Sequence, residues 1–138
     1  MSSHSEKIFV VQKHQAKKRG LHYDFRLEYK DQLRSWAITG STPPPITPGR
    51  VTMIKVEDHP LEWANFEGEI PPDEYGAGPV EIWDKGTYTF RRNPTEKKWS
   101  IYLSGARLKG AYTVLHLSLI HISEPTRPLY ISYAVFCL

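Results

Sequence analysis

The sequence predicts an all-β protein, built as a small closed or nearly closed β-barrel with long ordered loops. Short runs in which apolar and polar residues alternate recur along the 138-residue chain, and this period of two is typical of half-buried strands. Eleven prolines and nine glycines favour many turns over long helices. No stretch of about ten residues has the period of an amphipathic helix, and the length fits one domain.

Eight runs are predicted to be strands when the chain is followed from its N-terminus, and they cover residues 8–11, 23–29, 33–38, 51–56, 80–83, 87–91, 99–103 and 111–115. The second run is the clearest, because Tyr23, Phe25 and Leu27 alternate with charged or polar residues. Residues 30–32, Lys-Asp-Gln, and residues 84–86, Asp-Lys-Gly, are predicted to be turns between strands.

Three segments outside the strands differ in character. Residues 1–7 lack an apolar signal core and are predicted to be a disordered N-terminus. Residues 40–49 form a proline-rich loop without a regular period. Residues 63–78 are too rich in turn residues for a regular element and too apolar for a linker, so we predict an ordered loop packed on the barrel.

The composition favours a cytoplasmic protein that does not associate with membranes, and we expect a monomer. The single cysteine, Cys137, excludes a disulfide within the chain, which favours a reducing compartment. No run reaches the roughly 20 apolar residues needed to span a bilayer. The net charge of +3 is compatible with a polyanionic partner, and equally with a solvated surface of mixed sign.

The C-terminal segment, residues 117–138, shifts to an apolar composition with little charge. Within it, residues 117–127 and 131–138 resemble the conceptual translation of synthetic sequencing-library adapter DNA. We therefore expect a native domain over residues 8–116 and a non-native tail over residues 117–138. The alternative is a genuine apolar terminal strand.

One predicted strand carries four ionisable side chains on a single face. His22, Asp24, Arg26 and Glu28 are two residues apart, so they project to the same side, opposite the apolar set. A face of this kind is either a solvated surface or the lining of a pocket. The residues around it decide which interpretation is favoured.

Two more histidines are predicted near strand ends, His14 before this strand and His59 after a later one. Imidazole and carboxylate groups together suit divalent ions such as Mn, Fe and Zn, and a His-x-Asp pair with His14 leaves coordination positions open for water and substrate. Arg26 is the residue type that binds phosphate oxygens through a planar fork. The set favours metal-assisted phosphoester hydrolysis, although a 2-His-1-carboxylate iron oxygenase uses a similar pattern.

A series of short motifs gives a more specific indication. In chain order they are Gln12-Lys-His14, His22-Tyr-Asp-Phe-Arg-Leu-Glu28, Ser35-Trp-Ala37, Val56-Glu-Asp-His-Pro-Leu-Glu62, Gly76-Ala-Gly78 and Trp83-Asp-Lys-Gly86. Together they resemble the 3′-phosphoesterase domain of bacterial DNA ligase D and its free-standing relatives, from about Phe9 to about Leu115. The resemblance implies a β-barrel that uses Mn²⁺, or another divalent transition metal, to remove a 3′-terminal ribonucleoside and then the remaining 3′-phosphate in DNA repair by non-homologous end joining.

The resemblance also implies roles for individual residues. The metal ligands of the family match His14, His22 and Asp24. Its phosphate-contacting arginine and its catalytic histidine match Arg26 and His59, and these two are predicted to be catalytic together with the three ligands. The remaining positions predicted to support the site or contact substrate phosphate are Gln12, Arg50, Glu57 and Trp63.

The chain departs from the family pattern at several points. The family usually has Tyr where this chain has Trp63, so a phenol is replaced by an indole that can only donate. A family lysine after the Ser-Trp-Ala motif is absent, since the chain has Thr39-Gly-Ser41 there. The spacing from His14 to His22 is two residues longer. These departures bear on hydrolysis of the 3′-phosphate more than on metal binding.

The predicted partners are 3′ ends of DNA or RNA in a primer-template, with ligase and polymerase domains where the domain is fused to them. The rival interpretation is a β-barrel that binds nucleic acid without catalysis. The family domain continues with a further strand beyond the matched motifs. We therefore expect the C-terminal strand to be missing here, and the chain to fold poorly or be inactive.

Overall fold

A computed structural model describes the backbone of residues 6–16, 20–38, 40, 43–44, 49–71, 78–120 and 129–137, and the side chains of these residues up to 115 except residue 50. The strands are β1 (Lys7–Ala16), β2 (Gly20–Tyr29), β3 (Gln32–Ile38), β4 (Gly49–His59), β5 (Gly68–Ile70), β6 (Gly78–Phe90), β7 (Lys98–Gly105), β8 (Lys109–Ile120) and β9 (Leu129–Cys137). A 3₁₀ helix, Leu61–Asn65, follows β4. In this part of the chain no helix is long and apolar enough to cross a membrane.

Eight of the strands form a closed antiparallel ring. Their order is β1-β2-β3-β4-β9-β8-β7-β6, and β6 pairs with β1 to complete it. The short β5 adds to the N-terminal part of β6, with Gly68 opposite Val80. Because the ring is closed, every one of its strands has a neighbour on both sides, and the backbone N–H and C=O groups at both edges have hydrogen-bond partners. The predicted all-β barrel is confirmed.

The start of β1 and the turn after β2 test two predictions made from the sequence, a disordered N-terminus and a turn at residues 30–32. β1 begins at Lys7, the last residue of the segment predicted to be disordered, and residues 1–5 lie outside the described residues. The β2–β3 hairpin has the tight turn that was predicted, since Tyr29 pairs with Gln32 across two connecting residues. Those residues, Lys30 and Asp31, have φ angles of 51° and 65°. Two consecutive positive φ angles are typical of a type I′ turn, whose twist matches the flanking strands.

The turn predicted at residues 84–86 is wrong, because these residues lie inside the long strand β6. The ladder between β1 and β6 shifts by one residue at Trp83, and this bulge bends the strand. The buried carboxylate of Asp84 accepts hydrogen bonds from the backbone N–H groups of Ala106 and Leu108, at 2.9 and 2.8 Å. Asp84 therefore anchors the β7–β8 connection instead of forming a turn of its own.

The place of the closing strand, where the native strand was predicted to be missing and replaced by residues 117–138, is occupied by β9, which is part of that segment. This strand lies between β4 and β8 and pairs with both, with Ile131 opposite Ile54 and Phe136 opposite Tyr112. Its sequence, LYISYAVFC, is rich in β-branched and aromatic residues, which favour pairing with any open sheet edge. Since pairing requires only such residues and free backbone groups, the non-native origin of residues 117–138 stays a prediction.

The two faces of the barrel wall bury different side chains. The main core lies inside, because its members come from strands around the whole ring; they include Phe9, Phe25, Leu27, Trp36, Met53, Tyr88, Ile101, Leu103 and Tyr112. A second, smaller cluster of Val10, Leu33 and Ala64 lies on the outer face and joins β1 and β3 to the 3₁₀ helix. Side chains that alternate with the inner core on β1, β2 and β3 therefore face outward, beneath that helix.

Candidate active site

Buried polar side chains line the outer face of β1 and β2. They alternate with the inner core, as Asp24 and Arg26 do with Phe25. The antiparallel register brings His14 opposite His22 and places Asp24 beside them on the same face. Because buried polar groups are costly unless they are bonded, this face requires a connected network of partners.

His14, His22 and Asp24 form a candidate metal site. Each offers one ligand atom, and these atoms all lie within 4.8 Å of one another. The two imidazole centroids are 4.8 Å apart, and His22 Nε2 lies 3.6 Å from Asp24 Oδ1. A divalent cation with bonds of about 2.0–2.2 Å bridges ligand atoms up to roughly 4.4 Å apart, so small side-chain shifts bring the set into range. Two imidazoles and one carboxylate suit Mn, Fe or Zn.

Asp24 connects this candidate metal site to Arg26. Burial alone would raise the pKa of Asp24, but the hydrogen bond with His22 and the positive charge of Arg26 outweigh it and hold the pKa below its ordinary value. The two carboxylate oxygens face different partners. Oδ1 lies toward His22, and Oδ2 accepts a hydrogen bond from Arg26 Nη2 at 3.3 Å.

The buried guanidinium of Arg26 joins β2 to the strands on both sides. Nε donates to Gln12 Oε1 and Nη1 donates to Ser35 Oγ, both at 2.7 Å, in addition to the bond from Nη2 to Asp24. Burial lowers the pKa of Arg26 and the charge of Asp24 partly offsets this, so the group stays positive. One N–H on each terminal nitrogen remains. Among the described residues, His59 also lies close to these N–H groups, with its Nδ1 3.1 Å from Nη1.

A bulge in β4 brings His59 to the same face. Ser35 pairs with Val56 but Leu33 pairs with His59, so β4 has one more residue than β3 across this step. An extra residue reverses the side from which the following side chains project. Without it, His59 would share the inward face of Met53, which belongs to the inner core.

His59 is half-buried, and three polar atoms of the described residues lie close to its Nδ1. These are the carbonyl oxygen of Glu57 at 2.9 Å, Nη1 of Arg26 at 3.1 Å and Oγ of Ser35 at 3.5 Å. Burial, and then the positive charge of Arg26, lower the pKa of His59 from its ordinary value. The imidazole is therefore uncharged at neutral pH and able to accept a proton.

The 3₁₀ helix and the residues after it cover this face, and Gln12 fixes them in place. Its Nε2 donates to the carbonyl oxygens of Trp63 and Phe66, at 2.8 and 3.2 Å. The indole of Trp63 stacks on Phe66, with centroids 4.4 Å apart, and lies 5.5 Å from the ring of His59. In the described part of the chain Nε1 of Trp63 is buried without an acceptor, at a cost of about 1–3 kcal/mol.

The structure brings together seven of the nine positions predicted from the sequence: Gln12, His14, His22, Asp24, Arg26, His59 and Trp63. Glu57 contributes its backbone carbonyl, while its side chain is exposed. The side chain of Arg50 lies outside the described residues. The roles assigned to these positions stay predictions.

Ser35 belongs to the same network, although it was not predicted as a site residue. It is fully buried and its Oγ accepts from Arg26. Two signals in the sequence point to it. It alternates with Trp36 on β3 and so faces outward, and a tight turn at residues 30–31 sets the register that places Ser35 opposite Arg26.

Comparison with known proteins adds an independent finding. The sequence model of a family described as the DNA Ligase D 3′-phosphoesterase domain matches residues 12–116. The chain is 44% identical over 110 residues to the multifunctional non-homologous end joining protein LigD of Mycobacterium bovis. It is 41% identical over 116 residues to LigD of Pseudomonas aeruginosa and 38% identical over 117 residues to LigD of Mycolicibacterium smegmatis. These matches cover 78%, 80% and 78% of this chain but only 14%, 13% and 15% of the relatives.

Proposed function

The chain belongs to the DNA ligase D 3′-phosphoesterase domain family, and we propose that it is a metal-dependent phosphoesterase that trims the 3′ ends of nucleic acid in DNA repair. It removes a 3′-terminal ribonucleoside and then the remaining 3′-phosphate from DNA or RNA. The names of the relatives place those proteins in non-homologous end joining. The proposed partners are therefore primer-template ends, and the ligase and polymerase domains of a longer protein.

The observation that carries the proposal is the position of Asp24. One oxygen of its carboxylate lies toward His22 in the candidate metal site, and the other binds Arg26. A phosphodiester bound by Arg26 would thus lie next to the three candidate metal ligands. A cation held by these three residues would be close to the guanidinium, and the two positive groups would stabilise the charge that develops on phosphoryl oxygens in the transition state.

The metal ion, Arg26 and His59 each have a different role in the proposed reaction. A bound Mn²⁺, or another divalent transition metal, supplies Lewis-acid polarisation of the phosphoryl group. Arg26 offers its two remaining N–H groups to non-bridging oxygens, and its other bonds hold the fork in place. The proposed role of His59 is proton transfer at the reacting phosphate, which its lowered pKa and its distance of 3.1 Å from Arg26 Nη1 support.

The test is Mn²⁺-dependent processing of a labelled primer-template that ends in a 3′-ribonucleotide or a 3′-phosphate. Asp24→Asn keeps the shape of the side chain but removes the charge that a cation requires, and we expect it to abolish turnover and Mn²⁺ binding. Asp31→Asn, in the exposed hairpin turn, is the matched control and should retain both. Binding of the primer-template by the wild-type chain without turnover at any divalent metal would support the non-catalytic rival instead.

A further inference from the structure

The hydroxyl of Ser35 lies at the meeting point of Arg26 and His59. Ser35 is fully buried on β3, directly opposite Arg26 on β2. Its Oγ is 2.7 Å from Arg26 Nη1, 3.1 Å from the carbonyl oxygen of Leu33 and 3.5 Å from His59 Nδ1. We propose that Ser35 is a positioning residue that fixes the tautomer of His59, with the proton on Nδ1 and a free lone pair on Nε2.

The direction of each hydrogen bond follows from the donors available. Arg26 has no acceptor, so Ser35 Oγ must accept from Nη1. The hydroxyl has one proton, and the Leu33 carbonyl, 0.4 Å closer than His59 Nδ1, takes it. Toward His59 the hydroxyl oxygen can then only accept. A proton on Nδ1 is required for that contact to be attractive.

The other neighbours of Nδ1 lead to the same protonation state. The Glu57 carbonyl, at 2.9 Å, is also an acceptor and also requires a proton on Nδ1. Among the side chains that the structure describes, Arg26 Nη1, at 3.1 Å, is the one donor beside Nδ1. Two acceptors and the shortest of the three distances outweigh that one donor. Nε2 is then the nitrogen left to take a proton from the attacking water and to return it to the leaving oxygen.

The same tautomer has a consequence for Arg26. If Nδ1 carries the proton, the second N–H of Nη1 is not consumed by His59 and remains available to a phosphate oxygen. Ser35 thereby sets two groups at once, the basic nitrogen of His59 and the open donor of Arg26. This inference rests on the proposed function for its catalytic meaning, but the tautomer itself is a property of the free protein.

The direct measurement is ¹⁵N NMR of the imidazole rings in the full chain, without Mn²⁺ because that ion is paramagnetic, at a pH where His59 is neutral. Long-range ¹H–¹⁵N correlations distinguish a protonated Nδ1 from a protonated Nε2. The chain has six histidines, and the spectrum of His59→Gln assigns the signal. We expect Nδ1 protonated in the wild type. A proton on Nε2 would overturn the proposal, whatever the activity of the protein.

Variants of Ser35 supply the second readout. Ser35→Ala removes the acceptor of Arg26 Nη1, which can then donate to His59 Nδ1 in competition with the Glu57 carbonyl. We therefore expect the two tautomers to mix and kcat to fall by roughly 10- to 100-fold, the scale expected for a misplaced catalytic group, with Mn²⁺ affinity unchanged. Ser35→Thr keeps the hydroxyl and should restore both properties. Ser100→Ala, another buried strand serine four strands away in the ring, is the control for cavity formation.

The outcomes separate the two proposals. An unaltered His59 tautomer and unaltered kcat in Ser35→Ala would overturn the positioning role. Loss of kcat in Ser35→Ala and Ser100→Ala alike would also overturn it, because the effect would then be structural. Absence of turnover in the wild type, with Nδ1 protonated as expected, would contradict the proposed function and leave the tautomer assignment confirmed.

Discussion

Replacement of Arg26 by Lys should damage stability and activity together, because the guanidinium is both a structural connection and a phosphate donor. Arg26 donates to Gln12, Ser35 and Asp24, which lie on both neighbouring strands and on its own. A lysine ammonium keeps the charge, but its three donors radiate from one atom. It therefore cannot reach acceptors that are arranged around three separate nitrogens.

The magnitude follows from the bonds that are lost. At least one charge-assisted hydrogen bond disappears, worth about 2 kcal/mol, and one buried acceptor such as Gln12 Oε1 is left unpaired at about 1–3 kcal/mol. We expect Arg26→Lys to lower the free energy of unfolding by about 3–5 kcal/mol, a large share of the roughly 5–15 kcal/mol typical of a domain. Loss of the fork at the phosphate should lower kcat by about 10²-fold or more.

The assay is urea denaturation followed by Trp fluorescence, together with turnover on a 3′-phosphate end at a temperature where both proteins remain folded. Arg34→Lys is the matched control, since Arg34 is on the adjacent strand, partly exposed, and 3.7 Å from Asp58. A surface pair of this kind contributes about 0–1 kcal/mol. If Arg26→Lys unfolds within about 1 kcal/mol of the wild type and turns over equally fast, the geometric argument for the fork is refuted.

Three further predictions test other parts of the structure. His59→Ala should retain Mn²⁺ affinity in a metal titration and lose turnover, because His59 touches Arg26 and not the three candidate ligands; parallel loss of both would make it a ligand. The pKa of His59 is lower in the folded protein than its ordinary 6.5, so the unfolded chain binds a proton at a higher pH than the folded protein does. The contribution of the neutral imidazole to the free energy of unfolding is therefore complete above about pH 6.5 and is lost as the pH falls through the folded pKa. His59→Gln should therefore lose less unfolding free energy than the wild type between about pH 7.5 and about pH 5.5, and an equal loss in both would count against the lowered pKa. Deletion of residues 129–138 leaves one edge of β4 and one edge of β8 without a partner strand, so we expect a lower melting temperature and self-association by light scattering. An unchanged melting temperature and no self-association would show that the barrel does not depend on β9.

Much of the site could be predicted because it lies on regular strands. The alternation in β2 places His22, Asp24 and Arg26 on one face, and a two-residue turn fixes the register with β3. The local pattern is sufficient here, because the alternation within one strand determines which of its side chains share a face, whatever the rest of the fold is.

The parts that could not be predicted depend on irregular pairing. Residues 84–86 have the composition of a turn, but Asp84 is held inside β6 by backbone N–H groups more than twenty positions further along the chain. The contact between Gln12 and the carbonyl of Trp63 spans 51 positions, and it depends on how the 3₁₀ helix packs against Val10 and Leu33 on the outer face of the barrel. Neither contact leaves a periodic signal in the sequence.

The single extra residue in β4 makes the proposed chemistry sensitive to strand length as well as to residue type. Removal of one codon, such as that of Glu57, would leave every predicted catalytic side chain unchanged and yet turn the imidazole of His59 toward the barrel interior. Homologous domains could thus lose this activity by a three-nucleotide deletion that leaves the three candidate metal ligands, Arg26 and His59 themselves in place. When such sequences are aligned, a gap between Val56 and His59 is as informative as a substitution at either histidine of the candidate metal site.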